Sequence, residues 1–159
     1  MVPLHLLDSL AATPFIHGER LLDVGSGAGL PGLPLATVLP GLSVTLIESR
    51  RKKALFLDHV VNVLKLDNVN VVCQRVEQYQ PSEKFDTLIT RAFSDIAGFV
   101  DKAGHLCVHG GKLIALKGRY PAAELVDLDP GRIELEAVHR VNVPALKAQR
   151  HIVILACSG

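Results

Sequence analysis

The chain has 159 residues, 48% of them hydrophobic and 21% charged, with a formal net charge of +1. That length suits one domain with a real core, and the composition excludes a disordered chain. The near-neutral balance gives no global sign of nucleic-acid binding, so any such site must be a local basic patch.

With 4% aromatics and no tryptophan, the core has to be built from Leu, Val, Ile and Ala. Cys73, Cys107 and Cys157 are far apart and form no Cys-x-x-Cys pair. That spacing argues against a disulfide framework and fits a reducing cytoplasm. The apolar amino terminus has no basic leader and carries Asp8, so it does not read as a signal peptide. Residues 24–47 hold no charge, but Gly25, Gly27, Gly29, Gly32, Gly41, Pro31, Pro34 and Pro40 would break a spanning helix repeatedly. No membrane partner is expected.

Short β-type runs alternate with helical stretches, the pattern of a parallel sheet covered on both faces. Arg20–Val24 (RLLDV) reads as a first strand ending in a glycine-rich turn, and Pro31 can open a helix to about Leu39. A second strand covers 43–48 (SVTLIE). Ser49 can cap a long helix to about Leu66, with Phe56, Val60 and Leu64 on one face. Further strands are expected at 70–73 (NVVC), Phe85–Thr90 (FDTLIT) and, after a Gly-Gly turn, 112–117 (KLIALK). Helices are expected over 94–104 and 121–128. Strand candidates at 132–141 and 151–156 have no helix-length segment between them and should pair antiparallel.

The main chemical signal is Asp23-Val24-Gly25-Ser26-Gly27-Ala28-Gly29 at the carboxyl end of the first strand, where open α/β sheets bind ligands. Glycines let the backbone turn tightly and approach a ligand closely. The following helix offers free N–H groups to an anion, such as the methionine carboxylate of S-adenosylmethionine. Glu48 ends the second strand at a distance suited to ribose hydroxyls. Gly27-x-Gly29-x-x-Gly32 also matches a dinucleotide fingerprint, although its first glycine comes late after the strand and Pro31 interrupts the loop. A tight turn without a ligand is the remaining alternative. His105-x-Cys107-x-His109 alternates potential zinc ligands but lacks a fourth, so no metal is expected.

The stretch at 22–36 (LDVGSGAGLPGLPLA) resembles the bacterial small-subunit ribosomal RNA guanine-N7 methyltransferases of the glucose-inhibited division protein B family. The doubled Leu-Pro-Gly-Leu-Pro is far less common than a generic glycine loop. Other segments agree in order: His5-Leu6-Leu7-Asp8-Ser9, Glu48-Ser49, Arg75-Val76-Glu77, Phe85-Asp86, Thr90-Arg91-Ala92, Ala115-Leu116-Lys117-Gly118, Val143-Pro144-Ala145-Leu146 and Arg150-His151.

The resemblance covers essentially the whole chain. It implies a single class I methyltransferase domain over residues 1–159, Rossmann-like, with a mostly parallel seven-stranded sheet and an antiparallel carboxyl-terminal strand. It implies a monomeric cytoplasmic enzyme that methylates N7 of a guanosine in the 530 loop of 16S ribosomal RNA, in the small subunit or an assembly intermediate. The same resemblance implies S-adenosylmethionine as the donor and S-adenosylhomocysteine as the product.

The donor site would comprise Asp23, Gly25, Gly27, Leu30, Glu48, Val76, Glu77 and Arg91. Gly25 and Leu30 would line the methionine and ribose side, and Val76 and Glu77 would meet the adenine. Arg91, after the fourth strand, would stand near donor and target. Guanine N7 keeps an in-plane lone pair and no proton must leave first, so orientation can carry the reaction without an acid–base pair.

Arg50-Arg51-Lys52-Lys53 places cations in the first turn of a helix, against its dipole, which a phosphate contact would explain. Lys52, Arg75, Arg91 and Lys117 all fall at or after strand carboxyl ends and should share one RNA-facing rim, with His5, Asp8, Arg50 and Arg51 as further candidates.

The family normally carries a helical amino-terminal extension of about fifty residues before the His-x-Leu-Asp-Ser motif, which here begins at His5 and follows Leu4 where an arginine is usual. This departure is compatible with donor binding, since the glycine loop, Glu48, Glu77 and Arg91 are all present, and it puts RNA recognition in question. Two alternatives follow: a truncated module that holds the donor without catalysis, and an NAD-binding oxidoreductase.

Overall fold

The computed structural model describes residues 2–143, 147 and 149–158. Pro144, Ala145 and Leu146 of the family-like stretch lie outside the described residues. Seven strands form one sheet: β1 (Arg20–Val24), β2 (Ser43–Ile47), β3 (Val69–Val72), β4 (Phe85–Thr90), β5 (Cys107–Lys117), β6 (Ile133–Val141) and β7 (Arg150–Cys157). Their spatial order is β3-β2-β1-β4-β5-β7-β6. Strands β1 to β5 pair in parallel, and β7 lies antiparallel between β5 and β6. The expected mostly parallel sheet with an antiparallel carboxyl-terminal strand is therefore present.

Helices α1 (Val2–Leu10), α2 (Gly32–Val38), α3 (Arg51–Leu64), α4 (Ile96–Ala103) and α5 (Ala122–Val126) complete the fold. Alternation along each strand sends side chains to two separate cores. Leu22, Val24, Leu88, Leu113 and Leu155 pack with Ile96, Phe99 and Val100 of α4. Leu21, Val44, Leu46, Ile89 and Ile154 pack with Leu33, Leu35 and Ala36 of α2 and with Leu57 of α3. The fully buried aliphatic side chains contribute about 1.5–3 kcal/mol each, at the usual burial scale.

Three expectations change. Strand β5 begins at Cys107, before the Gly-Gly pair read as a turn. Gly110 has φ +74°, and Gly111 lies under the Cys107 sulfur, so the glycines form an irregularity inside the strand. Ser49 does not cap α3. Arg50 occupies that position without a side-chain cap bond, and the Glu48 carboxylate accepts its N–H at 3.1 Å. On α3, Ala54 and Leu57 form the buried face. Phe56 and Leu64 remain 51% and 54% exposed and, with Val60, border an apolar groove of about 550 Å³ between α1, α2 and α3. Among the described residues no helix is long and apolar enough to cross a membrane.

Candidate functional site

The strand order reverses between β1 and β4, so their following connections diverge and open a crevice at the carboxyl edge. The glycine loop turns there under tight backbone control. Ile47 O accepts the N–H groups of Gly25 at 3.0 Å and Ser26 at 3.2 Å, and Gly29 N donates to Ser26 O at 2.7 Å. Thr90 Oγ1 donates to Val24 O at 2.9 Å and accepts Ala92 N–H at 3.1 Å, linking the ends of β1 and β4.

The glycines divide by task. Gly25 (φ +70°) and Gly27 (φ +55°) adopt left-handed backbone. A Cβ on Gly27 would meet only a backbone oxygen at 3.9 Å, and one on Gly25 would press on Ala92 Cβ at 3.0 Å and otherwise stand in the cleft that this residue lines. Gly29 and Gly32 are instead packing positions. A Cβ would run into Leu33 at the first and into Leu46 and Asp23 at the second. In a dinucleotide loop the second glycine must leave the main chain open to a pyrophosphate, and in Gly27-x-Gly29-x-x-Gly32 that position is Gly29, covered by Leu33.

A cleft of about 190 Å³ opens beside Gly25, lined among others by Ile47, Glu48, Val76, Glu77, Phe93 and Lys102. The apolar groove is roomier, but polar groups converge in the smaller cleft and not in the groove. Glu48 is buried at its base, where Oε2 accepts Gly27 N–H at 3.0 Å. Each carboxylate oxygen keeps a second lone pair for a ligand hydroxyl. Val76 and Phe93 supply apolar wall, and Phe93 is itself propped by Phe99 at 5.4 Å between ring centroids. Glu77 stands at the mouth, its carboxyl held below the ordinary value first by its own backbone N–H and next by Arg75. The open main chain at Gly25, the acceptors of Glu48 and Glu77 and the apolar walls fit a nucleoside carrying hydroxyl and amino donors.

Four expected donor residues, Gly25, Glu48, Val76 and Glu77, are brought together in this cleft, and Gly27 is tied to it through Glu48. Three are placed elsewhere. Leu30 borders the apolar groove, because the chain turns into α2 right after it. Asp23 is fully buried. Its Oδ2 accepts Gly32 N–H at 2.8 Å, pinning the start of α2 to β1, while Oδ1 has no partner among the described residues. Burial pushes its carboxyl up to about 7, partly opposed by the Gly32 bond. Arg91 Nη2 pairs with Asp8 Oδ2 at 3.3 Å. Sequence reasoning missed Phe93 and Lys102. Phe93 follows the Thr-Arg-Ala stretch closely enough to have been flagged. Lys102, on α4 with its Nζ 5.9 Å from the Phe93 ring centroid, has no local signal.

The rim cations also differ from one another. Arg50, Arg51 and Lys52 are exposed beside the cleft. Arg75 is exposed and paired with Glu77 at 3.5 Å. Lys117 is largely covered, and its three donors are committed to Phe93 O, Ser94 O and the Glu124 carboxylate. It is a strut between β5 and α5 and not a ready phosphate contact. His5 borders the apolar groove. His105 Nε2 lies 3.2 Å from Tyr79 O, and among the described residues no three His, Cys, Asp or Glu side chains are grouped to hold a metal ion.

The family model for GidB, rRNA small subunit methyltransferase G, matches residues 1–153. The chain is 48% identical over 155 residues to ribosomal RNA small subunit methyltransferase G of Laribacter hongkongensis, covering 98% of this chain and 74% of that one. It is likewise 48% identical over 155 residues to the protein of the same name from Nitrosococcus oceani, covering 98% and 72%. In fold it is similar to a SAM-dependent methyltransferase from Aquifex aeolicus, with a TM-score of 0.73 at 20% identity, covering 96% of this chain and 91% of that one. This chain therefore belongs to the GidB family, rRNA small subunit methyltransferase G.

Proposed function

We propose that this chain is one domain that transfers a methyl group from S-adenosylmethionine to N7 of a guanosine in small-subunit ribosomal RNA, in the 530 loop, as a cytoplasmic monomer. Its membership in the GidB family supports the reaction class. The observation that carries the residue-level reading is the cleft in which Gly25 leaves the main chain open beside the buried Glu48 carboxylate.

When bound, S-adenosylmethionine supplies a methyl group made electrophilic by its sulfonium. Glu48 would hold the ribose hydroxyls, and Glu77 with Val76 the adenine. Gly25 and Gly27 would let the main chain reach the methionine end. Phe93 and Val76 exclude water from one side of the cleft. Guanine N7 carries no proton, so the chain has no proton to remove and its residues need only orient the two partners. Arg91 acts from the rim through its charge, and Arg50, Arg51 and Lys52 would meet RNA phosphates.

The test is incorporation of labelled methyl into small-subunit RNA from cells lacking this modification, as deproteinised RNA and as subunits, with 7-methylguanosine identified after digestion. Donor affinity is measured in parallel by calorimetry with S-adenosylhomocysteine. Donor binding without incorporation would replace the enzyme reading with that of a non-catalytic module.

A further inference from the structure

We propose that Asp8 is a positioning residue that holds the guanidinium groups of Arg91 and Arg150 side by side at the carboxyl rim of the sheet, where they receive a backbone phosphate of the RNA substrate. The proposal rests on the reading of the chain as an RNA methyltransferase. It gives Asp8 a role other than direct RNA contact and adds Arg150 to the interface.

The geometry begins with strand direction. Arg91 follows β4, whose last residue is Thr90. Arg150 opens β7, and because β7 is antiparallel its first residues lie beside the end of β5, with Lys117 opposite His151. Both arginines therefore reach the edge where the donor cleft opens. Helix α1 brings Asp8 to the same place. Its Oδ2 is 3.3 Å from Arg91 Nη2 and its Oδ1 is 3.3 Å from Arg150 Nε. The Asp8 side chain is 9% exposed, against 26% and 29% for the two arginines.

Charge and donor counts give this arrangement its use. A carboxylate this covered is tolerable because two cations face it. One carboxylate against two guanidiniums leaves an excess positive charge. Each guanidinium has five N–H donors and gives only one nitrogen to Asp8. Arg150 Nη1 also donates to Gln149 O at 3.0 Å. Both side chains stay partly exposed, at 26% and 29%, and the donors not given to Asp8 or Gln149 suffice to hold a phosphate bidentately. Anchoring both side chains in advance removes rotamer entropy that binding would otherwise cost. Other rim cations do not share this form, since Lys117 has spent its donors and Arg75 is loosely held and exposed.

The experiment uses the full chain with Asp8→Asn, Asp8→Glu, Arg150→Gln and the Asp8→Asn/Arg150→Gln double variant. The readouts are RNA affinity at several salt concentrations, KM and kcat for small-subunit RNA, S-adenosylhomocysteine affinity and Tm. Asp8→Asn is expected to raise KM for RNA about tenfold, the scale of one misplaced charge-assisted contact, with kcat and donor affinity unchanged. Asp8→Glu should recover part of that loss, and the double variant should lose less than the two single losses combined. Arg150→Gln, which keeps the Arg91–Asp8 pair, should lower RNA affinity and reduce the salt slope by about one.

An unchanged KM in Asp8→Asn, or equal losses of donor and RNA binding that track a lower Tm, would overturn the proposal. If Asp8→Asn does not fold, an RNA affinity in Arg150→Gln equal to wild type overturns it instead. Wild-type RNA binding that depends on Asp8, with no methyl incorporation, would sustain the fork while sinking the catalytic reading.

Discussion

Glu48 Oε2 accepts the Gly27 amide hydrogen at 3.0 Å, while Oε1 of the same carboxylate accepts that of Arg50 at 3.1 Å. One buried side chain thus fixes both the glycine loop after β1 and the entry to α3. Glutamine has the same shape but only one acceptor oxygen, so Glu48→Gln would leave one of these N–H groups facing an NH₂. Losing a hydrogen bond to a buried charged acceptor costs about 1.5–3 kcal/mol. The expected result is a lower Tm and an affinity for S-adenosylhomocysteine weakened roughly tenfold or more, read by calorimetry. Wild-type affinity in this variant would remove Glu48 from the donor site.

Gly25→Val should abolish donor binding. The backbone there has φ +70°, which a β-branched residue adopts only under strain, and the added side chain would enter the cleft. Gly41→Ala is the matched control, since nothing lies within 4 Å of a Cβ at that position. Titration with S-adenosylhomocysteine should show a loss of over about a hundredfold, near 3 kcal/mol, for the first variant and none for the second. An unchanged dissociation constant in Gly25→Val would show that the donor does not approach this part of the loop.

What the sequence made legible follows from local chemistry. Strand β4 appears residue for residue where alternation and its flanks place it, and the glycine loop carries its own signature. Helix α1 gave no such sign. Its sequence VPLHLLDSL has no acidic residue in the first turn and no basic residue in the last, and its Asp8 finds its partners only when β4 and β7 are assembled. The role of Asp23 was hidden for a related reason. An acid before a glycine loop can face a ligand or brace the next helix, and here the Gly32 N–H decides for the brace. The Gly110-Gly111 pair reads as a turn because glycine ends strands more often than it bulges them. Only the Cys107 sulfur above Gly111 shows why a side chain is excluded there.

The two lysines once read alike should behave differently. Lys52 is exposed in the first turn of α3, so Lys52→Glu should weaken RNA binding and flatten its salt dependence while leaving donor affinity and Tm near wild type. Lys117 ties Glu124 at 3.0 Å, and Glu124 in turn accepts Ile96 N–H at 2.9 Å at the start of α4. Lys117→Met should lower Tm by several degrees, since one partner of a largely covered pair is left uncompensated. Filter binding across salt concentrations and thermal melts of both variants separate the two roles. A Lys117→Met protein as stable as wild type would return that lysine to the RNA-facing set.

Asp23 makes stability depend on pH in the direction opposite to most carboxylates. Burial raises its folded-state pKa to about 7, from an ordinary value of 3.8. Between those values the folded chain keeps a proton that the unfolded chain has released, so unfolding becomes easier as pH rises through this window. The contribution is fully present below about pH 4 and is lost as pH passes about 7. Asp23→Asn keeps an oxygen for Gly32 N–H but has no charge to bury, so its stability should lack this component. Melts of both proteins at several pH values from about 5 to 7.5 should show wild type gaining several degrees relative to the variant on acidification, at about 2–4 °C per kcal/mol for a domain of this size. Parallel profiles would mean that Asp23 is ionised in the folded chain throughout, with its Oδ1 satisfied by a partner such as an ordered water.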